Sequence, residues 1–341
     1  MHITIASDID QKLWDDIVLN SSEGTFFHTW KWLKIMEKYI SKKKFFRIYY
    51  GKLHPLIVWE GKEIVGLIPV FFLKTPFKKM AGSPPLSFEV PYLGPVMKNR
   101  SGIKSYKKQI IFSEFQKKVH DFLKNSLKAN YIRIITPPGM FDPHPFVWSN
   151  YTVKPECNSI IDLRSGEKTI WENFSHNVRN SIKKANKNGI IVTIGVQEDV
   201  ESIYNLLRER QRVYAKKEFI LEIFENFSYE NVKCFIAKKD EIPLTGMIVI
   251  CYKNKVGVWF GTPKHSIDGI NPNNILIWES ILWACNNNYQ YFEIIGTSDK
   301  TTFPFKVQFC GEITPFYAMK WYSPINQLID SLYHNLFPRY K

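Results

Sequence analysis

The 341-residue chain is poor in cysteine, and its five (Cys157, Cys234, Cys251, Cys285, Cys310) are widely spaced with no CxxC pair. A disulfide framework and a zinc knuckle are therefore not expected. Cys234 and Cys251 lie in apolar strand-like runs, which predicts core positions for both. No apolar run reaches the ~18 residues of a membrane span. The longest candidate, IVGLIPVFFL (Ile64 to Leu73), is strand length and contains a proline. The opening MHITIASDIDQKLWDD is acidic and has no basic n-region followed by an apolar h-region, so no secretory signal is expected and a cytoplasmic location is. Phosphate-loop GxxxxGK[ST], GxGxxG after a strand, HExxH and GxSxG are all missing. Their absence argues against phosphate-loop NTPases, dinucleotide oxidoreductases, zinc proteases and serine hydrolases of the usual kind. The eight histidines are scattered with none paired at ligand spacing, so no metal site is expected.

Apolar and aromatic residues are plentiful. At 45% apolar and 15% aromatic the chain has ample material for a core, and its length predicts two domains of about 150 residues each. The net charge of +14 is uneven: residues 1–150 carry 23 Lys+Arg against 12 Asp+Glu, and residues 151–341 carry 23 against 20. A basic first half suits an anionic partner such as tRNA, a nucleotide-linked substrate or an anionic membrane face. A merely lysine-rich surface explains it equally well.

Periodicity predicts a helix over Thr29–Tyr39, then strands over Phe45–Tyr50, Leu56–Glu60 and Ile64–Leu73, the last two joined at Gly61-Lys62. After the proline-rich passage Ser83–Val96, a long helix over Ser105–Leu127 has the stripe Ile110, Ile111, Phe115, Val119, Phe122 and Leu123, and a strand follows at Tyr131–Ile135. The prolines of TPPGMFDPHPF place the domain junction near residue 150, giving domains 1–150 and 151–341. The second half reads as strand 158–163, helix 176–189 stopped by Gly189, strand 190–196 and helix 200–215. Strands 232–238, 246–252 and 256–260, helix 274–287, and strands 291–295 and 313–321 complete it. EGKEIVGLIPVFFLK (Glu60–Lys74) and KDEIPLTGMIVICYKN (Lys239–Asn254) share a charged turn, a glycine and a strand, a faint likeness that fits a duplicated fold.

On the helix HNVRNSIKKANK, Arg179, Lys183 and Asn186 share a face while Val178, Ile182 and Ala185 point inward. Such a face can hold phosphate, or it can be a solvated cationic surface. Trp278 and Trp283 follow a helical pattern that suits core, and Trp259 stands between core and cleft. FPFK (Phe303–Lys306) raises the same choice for Lys306: a surface charge, or a cation held over a reacting carbonyl or a phosphate.

FSHNVRNSIKKANKNGI resembles the K-x-R-x-x-I-r-K-A-x-k-x-G-v segment of the Fem-like peptidyl and acyl transferases, a branch of the GNAT acyltransferase superfamily, with Arg179, Ile182, Lys184, Ala185, Lys187 and Gly189 matching. FFHTWKWLKIMEK is similar to that family's N-terminal F-x-q-s-x-x-W entry, and YLGPVM (Tyr92–Met97) to its r-G-P-v strand. NPNNILIWESILWACNNNYQYFEIIGTS resembles its late helix and strand, and FKVQFCGEI its closing F-K-x-x-F-G, with Cys310 added before Gly311. Lys98 stands where several Fem enzymes have an acid: either the acceptor is more anionic, or the acid's role falls to nearby Glu89, or the substrate differs altogether. No [QR]-x-x-G-x-[GA] pyrophosphate loop occurs between Phe260 and Ile275, although Asn273 and Asn274 offer a helix N-terminus. No room exists for a long helical arm.

The resemblance implies an α/β (α+β) protein of two GNAT-like domains, each a mixed, mostly antiparallel twisted sheet flanked by helices, with the site in the cleft between them. It implies N-acyl or N-aminoacyl transfer from an activated donor, aminoacyl-tRNA or acyl-CoA, to an amine of an anionic or nucleotide-linked acceptor such as a cell-envelope or peptide precursor. No bound cofactor is expected; tRNA binding and peripheral membrane contact follow as expectations. In this reading Lys306 stabilises negative charge beside the wall formed by Phe305, and Arg179 and Lys183 hold phosphate. His28, Trp32, Tyr92, Glu89, Trp259 and Asn274 are the remaining substrate-binding candidates. The competing reading is an inactive protein of the same fold that binds RNA or an anionic surface.

Overall fold

The computed structural model describes residues 1–41, 50–75, 78–86, 88–100, 102–140, 142–210, 213, 215–263 and 269–324. In chain order the first elements are β1 (His2–Ile5), α1 (Gln11–Asn20), α2 (Trp30–Ser41), β2 (Tyr50–Glu60), β3 (Glu63–Lys74), β4 (Lys79–Ser83), β5 (Val96–Met97), α3 (Ser105–Asp121), β6 (Tyr131–Ile135), α4 (His144–Trp148) and β7 (Thr152–Asp162). There follow α5 (Glu167–Asn173), α6 (His176–Lys187), β8 (Ile191–Ile194), α7 (Gln197–Arg210), α8 (Lys217–Phe227), β9 (Val232–Lys239), β10 (Ile242–Tyr252), β11 (Lys255–Gly261), α9 (Pro272–Asn286), β12 (Tyr291–Ile294), α10 (Phe303–Lys306) and β13 (Glu312–Tyr322).

Two compact units result, one of Met1–Leu86, Val90–Pro155 and Pro315 onward, the other of Ser87–Glu89 and Glu156–Thr314. The division departs from a simple split at residue 150. From Pro315 the chain belongs to the first unit because Ala318–Tyr322 of β13 pairs with β6.

The first unit orders its strands β1-β2-β3-β4-β6-β13, all neighbours antiparallel except β4 and β6, with the short β5 beside β3. The second orders them β8-β9-β10-β11-β12-β7, again antiparallel except for one adjacent pair, β11 and β12. Parallel neighbours need a crossover, supplied by α3 in one unit and α9 in the other. The two hairpins likened in sequence occupy equivalent places, β2–β3 turning at Gly61 (φ 60°) and β9–β10 at Asp240 and Glu241 (φ 50° and 61°).

Most elements match their sequence patterns, with instructive exceptions. The expected strand at 45–50 lies outside the described residues apart from Tyr50, the first residue of β2. Of the expected stripe Phe115, Val119 and Leu123 are buried, but Ile110 is 54% exposed, and Phe112, Gln116 and His120 complete the buried face. The helix expected over 200–215 ends at Arg210, and a second helix, α8, follows and buries Phe219, Ile220, Ile223, Phe224 and Phe227. FPFK itself is a short helix, α10.

The second unit's core joins Val178, Ile182 and Ala185 of α6 to Ile275, Leu276, Ile281 and Ala284 of α9 and to the sheet, with Cys251 among them. Cys234 is also fully buried. Trp278 and Trp283 are partly buried and pack against the same core.

Candidate functional site

Lys306 owes its position to the turn before it. Asp299 Oδ1 accepts from the backbone N–H of Thr301 (2.9 Å) and Thr302 (3.0 Å), and its carbonyl accepts from Phe303 N (2.8 Å). These bonds start α10, with Pro304 in its first turn. Phe305 packs edge-on against Phe309 (5.4 Å), which meets Phe174 (5.3 Å), which in turn meets Trp278 (5.4 Å). This aromatic chain anchors the FKVQF turn, and Cys310, the added residue, adopts the left-handed conformation (φ 53°) that ends it.

The Lys306 ammonium donates to the carbonyl oxygens of Ile295 (2.8 Å) and Gly296 (2.9 Å). A lysine ammonium has three N–H donors, so one remains for a ligand oxygen. Gly296 has φ 76°, and a Cβ there would stand 3.2 Å from Lys306 Nζ. Glycine therefore suits both the turn and the ammonium's close approach. Burial pushes the Lys306 pKa below the usual lysine range, and Asp299 opposes that shift.

Lys306 and Phe305 line a cavity of about 440 Å³ within the second unit. Its walls come from the end of β11 (Val258 to Pro263), from Ile294 and Ile295, from Asn273, Leu276 and Ile277 of α9, and from Glu89. The strand geometry explains the opening. β11 and β12 pair in parallel only from Lys255↔Tyr291 to Val258↔Ile294; β12 then stops while β11 runs on to Gly261. At the same place β11 bulges: Ile248 and Val249 of β10 face Phe260 and Val258, which leaves Trp259 as the extra residue. A bulge bends its strand and re-aims the side chain it inserts. Trp259 thereby donates its indole N–H to the carbonyl of Glu89 at 3.0 Å and packs edge-on against Phe219 (6.3 Å).

Among the described lining residues, Glu89 and Lys306 are the two with titratable side chains. Glu89 is half-buried and held at φ 47°, a conformation that non-glycine residues seldom adopt.

Sequence reading missed the buried polar cluster beside this cavity. Thr245 Oγ1 contacts Thr262 Oγ1 and donates to Asn273 Oδ1, while Asn273 Nδ2 donates to Thr262 O (3.1 Å). The cluster ties the start of α9 to β10 and β11. Asn271 caps α9: its side chain accepts from Asn273 N (3.2 Å) and its carbonyl from Asn274 N (3.1 Å), while Pro272 has no N–H. The first three residues of α9 thus offer no free backbone donor to a phosphate. A signal existed in the asparagine-rich NPNN.

Other expected site residues stand elsewhere. Arg179 is half-buried, with its guanidinium donating to Glu172 O (2.9 Å), Lys183 is exposed, and neither lines the cavity of Lys306. The reason is geometric: α6 turns Val178, Ile182 and Ala185 to the core, and its cationic face points away from it. Asn274 is buried outside the cavity lining, and its side-chain oxygen has no hydrogen-bond partner among the described residues.

His28, Trp32 and Tyr92 belong to the first unit and are all buried. His28 is enclosed, with Nδ1 2.8 Å from Thr25 Oγ1 and Nε2 3.0 Å from Leu93 O. Trp32 sits against the edges of Phe26 and Phe27, and Tyr92 against Phe27 and Phe316. As packed, these three fasten the core and offer no open face to a substrate. Lys98 lines a separate cavity of about 360 Å³ in this unit, with Arg100, Lys108, Glu23 and Asp142.

Among the described residues, no group of three or more His, Cys, Asp or Glu is placed to hold a metal, and no helix is long and apolar enough to cross a membrane.

No curated protein sequence matches the chain significantly. Among solved structures, FemX aligns over 96% of this chain and 100% of its own at 13% identity, with a TM-score of 0.66. A conserved protein of unknown function from Bacteroides thetaiotaomicron aligns over 93% and 98% at 12% identity (TM-score 0.57). A tandem GNAT protein from the clavulanic acid biosynthesis pathway aligns over 94% and 98% at 8% identity (TM-score 0.53). At such identities the likeness establishes a shared fold. Residues 172–307 match the family described as the acetyltransferase (GNAT) domain, a span that includes Lys306, β11, β12 and α9. The chain therefore carries a GNAT acetyltransferase domain on a fold shared with FemX and tandem GNAT proteins, and it is an acyltransferase.

Proposed function

We propose that the second unit transfers an acyl or aminoacyl group from an activated ester or thioester to an amine, with the acyl carbon seated where β11 and β12 part. The observation that carries this reading is the cavity in which a partly buried ammonium with one spare donor and a carboxylate stand among apolar walls. Attack of an amine on an acyl carbonyl needs alignment, loss of a proton, and stabilisation of the tetrahedral oxyanion. Parted parallel strands supply the alignment: the edge of β11 beyond Val258 is released from β12, and an extended donor arm can lie along it. Lys306 directs its remaining N–H to the oxyanion. Glu89 takes the proton from the attacking nitrogen. The C–N bond forms as the C–O or C–S bond breaks, and the leaving alcohol or thiol recovers a proton.

The GNAT domain makes an acyl-CoA the first donor to test, and the sequence resemblance to the Fem-like transferases makes an aminoacyl-tRNA the second. The capped start of α9 bears on this choice, because a diphosphate gripped by backbone N–H groups would find those of Asn273 and Asn274 already engaged. The acceptor is proposed to be an amine on an anionic precursor, in keeping with the basic composition of residues 1–150. The test is to incubate the protein with a panel of acyl-CoAs and aminoacyl-tRNAs and of amine acceptors, and to detect product by intact mass. Product made by wild type and lost in Lys306→Ala supports the reading. No product from any pair, with RNA binding equal in wild type and Lys306→Ala, replaces it with an inactive binding protein.

A further inference from the structure

We propose that Asn158 is a positioning residue for Lys306: it locks the turn at Gly296 whose carbonyl holds the ammonium, and Glu293 fixes its own orientation. This inference rests on the reading of Lys306 as the cation of the transfer site.

Asn158 on β7 and Glu293 on β12 are each 0% exposed, on strands that pair directly through Ser159↔Ile294 and Ile160↔Glu293. Asn158 Nδ2 donates to Glu293 Oε1 at 2.6 Å, and Asn158 Oδ1 accepts from Gly296 N at 2.8 Å. The orientation of the amide is dictated by its partners: turned over, it would set an NH₂ against an N–H and an oxygen against a carboxylate. Gly296 is thus fastened by its nitrogen, while its carbonyl and that of Ile295 both accept from Lys306 Nζ.

Glu293 is an unusual residue for its place. Its strand neighbours Phe292 and Ile294 are core residues, and burying a carboxylate in a sheet is costly unless it is paired. Its other oxygen, Oε2, lies 3.5 Å from Lys255 Nζ, whose side chain reaches the surface. A run of contacts therefore leads from Lys255 through Glu293, Asn158 and Gly296 to Lys306. An apolar residue would pack β12 equally well, but it would leave the Asn158 amide without the acceptor that orients it. The other charged group acting on Lys306 is Asp299, which starts α10 and does not depend on Asn158.

The experiment reads Lys306 directly and needs no substrate. Trace labelling of amines with acetic anhydride across a pH series, followed by peptide mass spectrometry, gives the titration midpoint and relative reactivity of Lys306. In Asn158→Ala the turn is released and the ammonium gains water. Its midpoint should rise towards the ordinary lysine value, with a change of about threefold or more in relative labelling at fixed pH. Glu293→Gln keeps an acceptor for the Asn158 amide without the charge, and should label like wild type. Unchanged labelling in folded Asn158→Ala overturns the proposal. Should that variant not fold, altered labelling in a natively melting Glu293→Gln variant overturns it instead. Failure of the transfer reading is separate: Lys306→Ala would then leave transfer intact while the labelling results stand.

Discussion

Trp259 and Glu89 are joined by an indole N–H to carbonyl hydrogen bond of 3.0 Å. The bond holds the backbone of Glu89 at the wall of the Lys306 cavity, although its sequence neighbours from Val90 onward belong to the other unit. A bulged tryptophan and a carboxylate in a strained turn thus support each other. We take Glu89 as the proton acceptor of the proposed reaction, and several outcomes follow.

Lys306→Met should lower the rate of transfer by about 10²- to 10³-fold, the usual loss on removing one oxyanion donor. Steady-state product formation measures it. Lys306→Arg should not restore the rate, because a planar, forked guanidinium does not reproduce the ammonium's two bonds to the carbonyls of Ile295 and Gly296.

The pH dependence of Lys306 has opposite signs for rate and stability. Its folded pKa is lowered, so the transfer rate should fall as pH rises through that lowered midpoint and the ammonium is lost. Between the folded midpoint and the ordinary lysine value the unfolded chain binds more protons, so stability should rise with pH in that window. Urea unfolding of wild type and Lys306→Met across alkaline pH isolates the contribution. The wild type should gain relative to the variant as pH rises, and a loss would contradict the burial argument.

Glu89→Gln removes the proposed proton acceptor while keeping the shape of the side chain. The rate should fall by about 10²- to 10⁴-fold with little change in KM for the donor, and its rise on the acid side should disappear. A variant that changes only KM would make Glu89 a binding residue.

His28→Ala should act on stability. The enclosed imidazole contacts Thr25 Oγ1 and the carbonyl oxygens of Leu93 and Gly94, so its loss leaves buried polar groups unsatisfied at a cost of about 1–3 kcal/mol. Chemical denaturation checks this. A normal unfolding midpoint with a raised acceptor KM would return His28 to the list of substrate ligands.

Much of this fold could be read from patterns of apolar residues. The face of α6, the hairpins at Gly61 and Asp240, and the strands around Val249 and Val258 are local signals with clear periods. Ile110 was misleading because α3 has apolar residues at adjacent positions, Ile110, Ile111 and Phe112, and only packing decides which of them turn inward. Between α7 and α8 the sequence QRVYAK has no glycine or proline to announce a break. The pattern of FPFK assigned it to no element, and the Asp299 turn starts a helix there.

The site was less legible than the fold. Lys306 stood out through a resemblance, but its acceptors are two backbone carbonyls, which no side-chain pattern reveals. Asn158 and Glu293 are 135 residues apart and meet only because β7 lies beside β12. Arg179 and Lys183 were attractive for their charge, yet a cationic helix face says nothing about which cavity it borders. Composition reveals chemistry that is available, and topology decides which of it is brought together.

Trp259, the extra residue of the bulge, makes the cavity a matter of counting. Deleting Trp259 would let β10 and β11 run in continuous register, with Val258 and Phe260 still opposite Val249 and Ile248, would remove the bend at the cavity, and would take from Glu89 the donor that holds it. A single deletion at this point should therefore erase the pocket more completely than substitution of any residue that lines it. In this strand the length of the sequence carries information that residue identity does not.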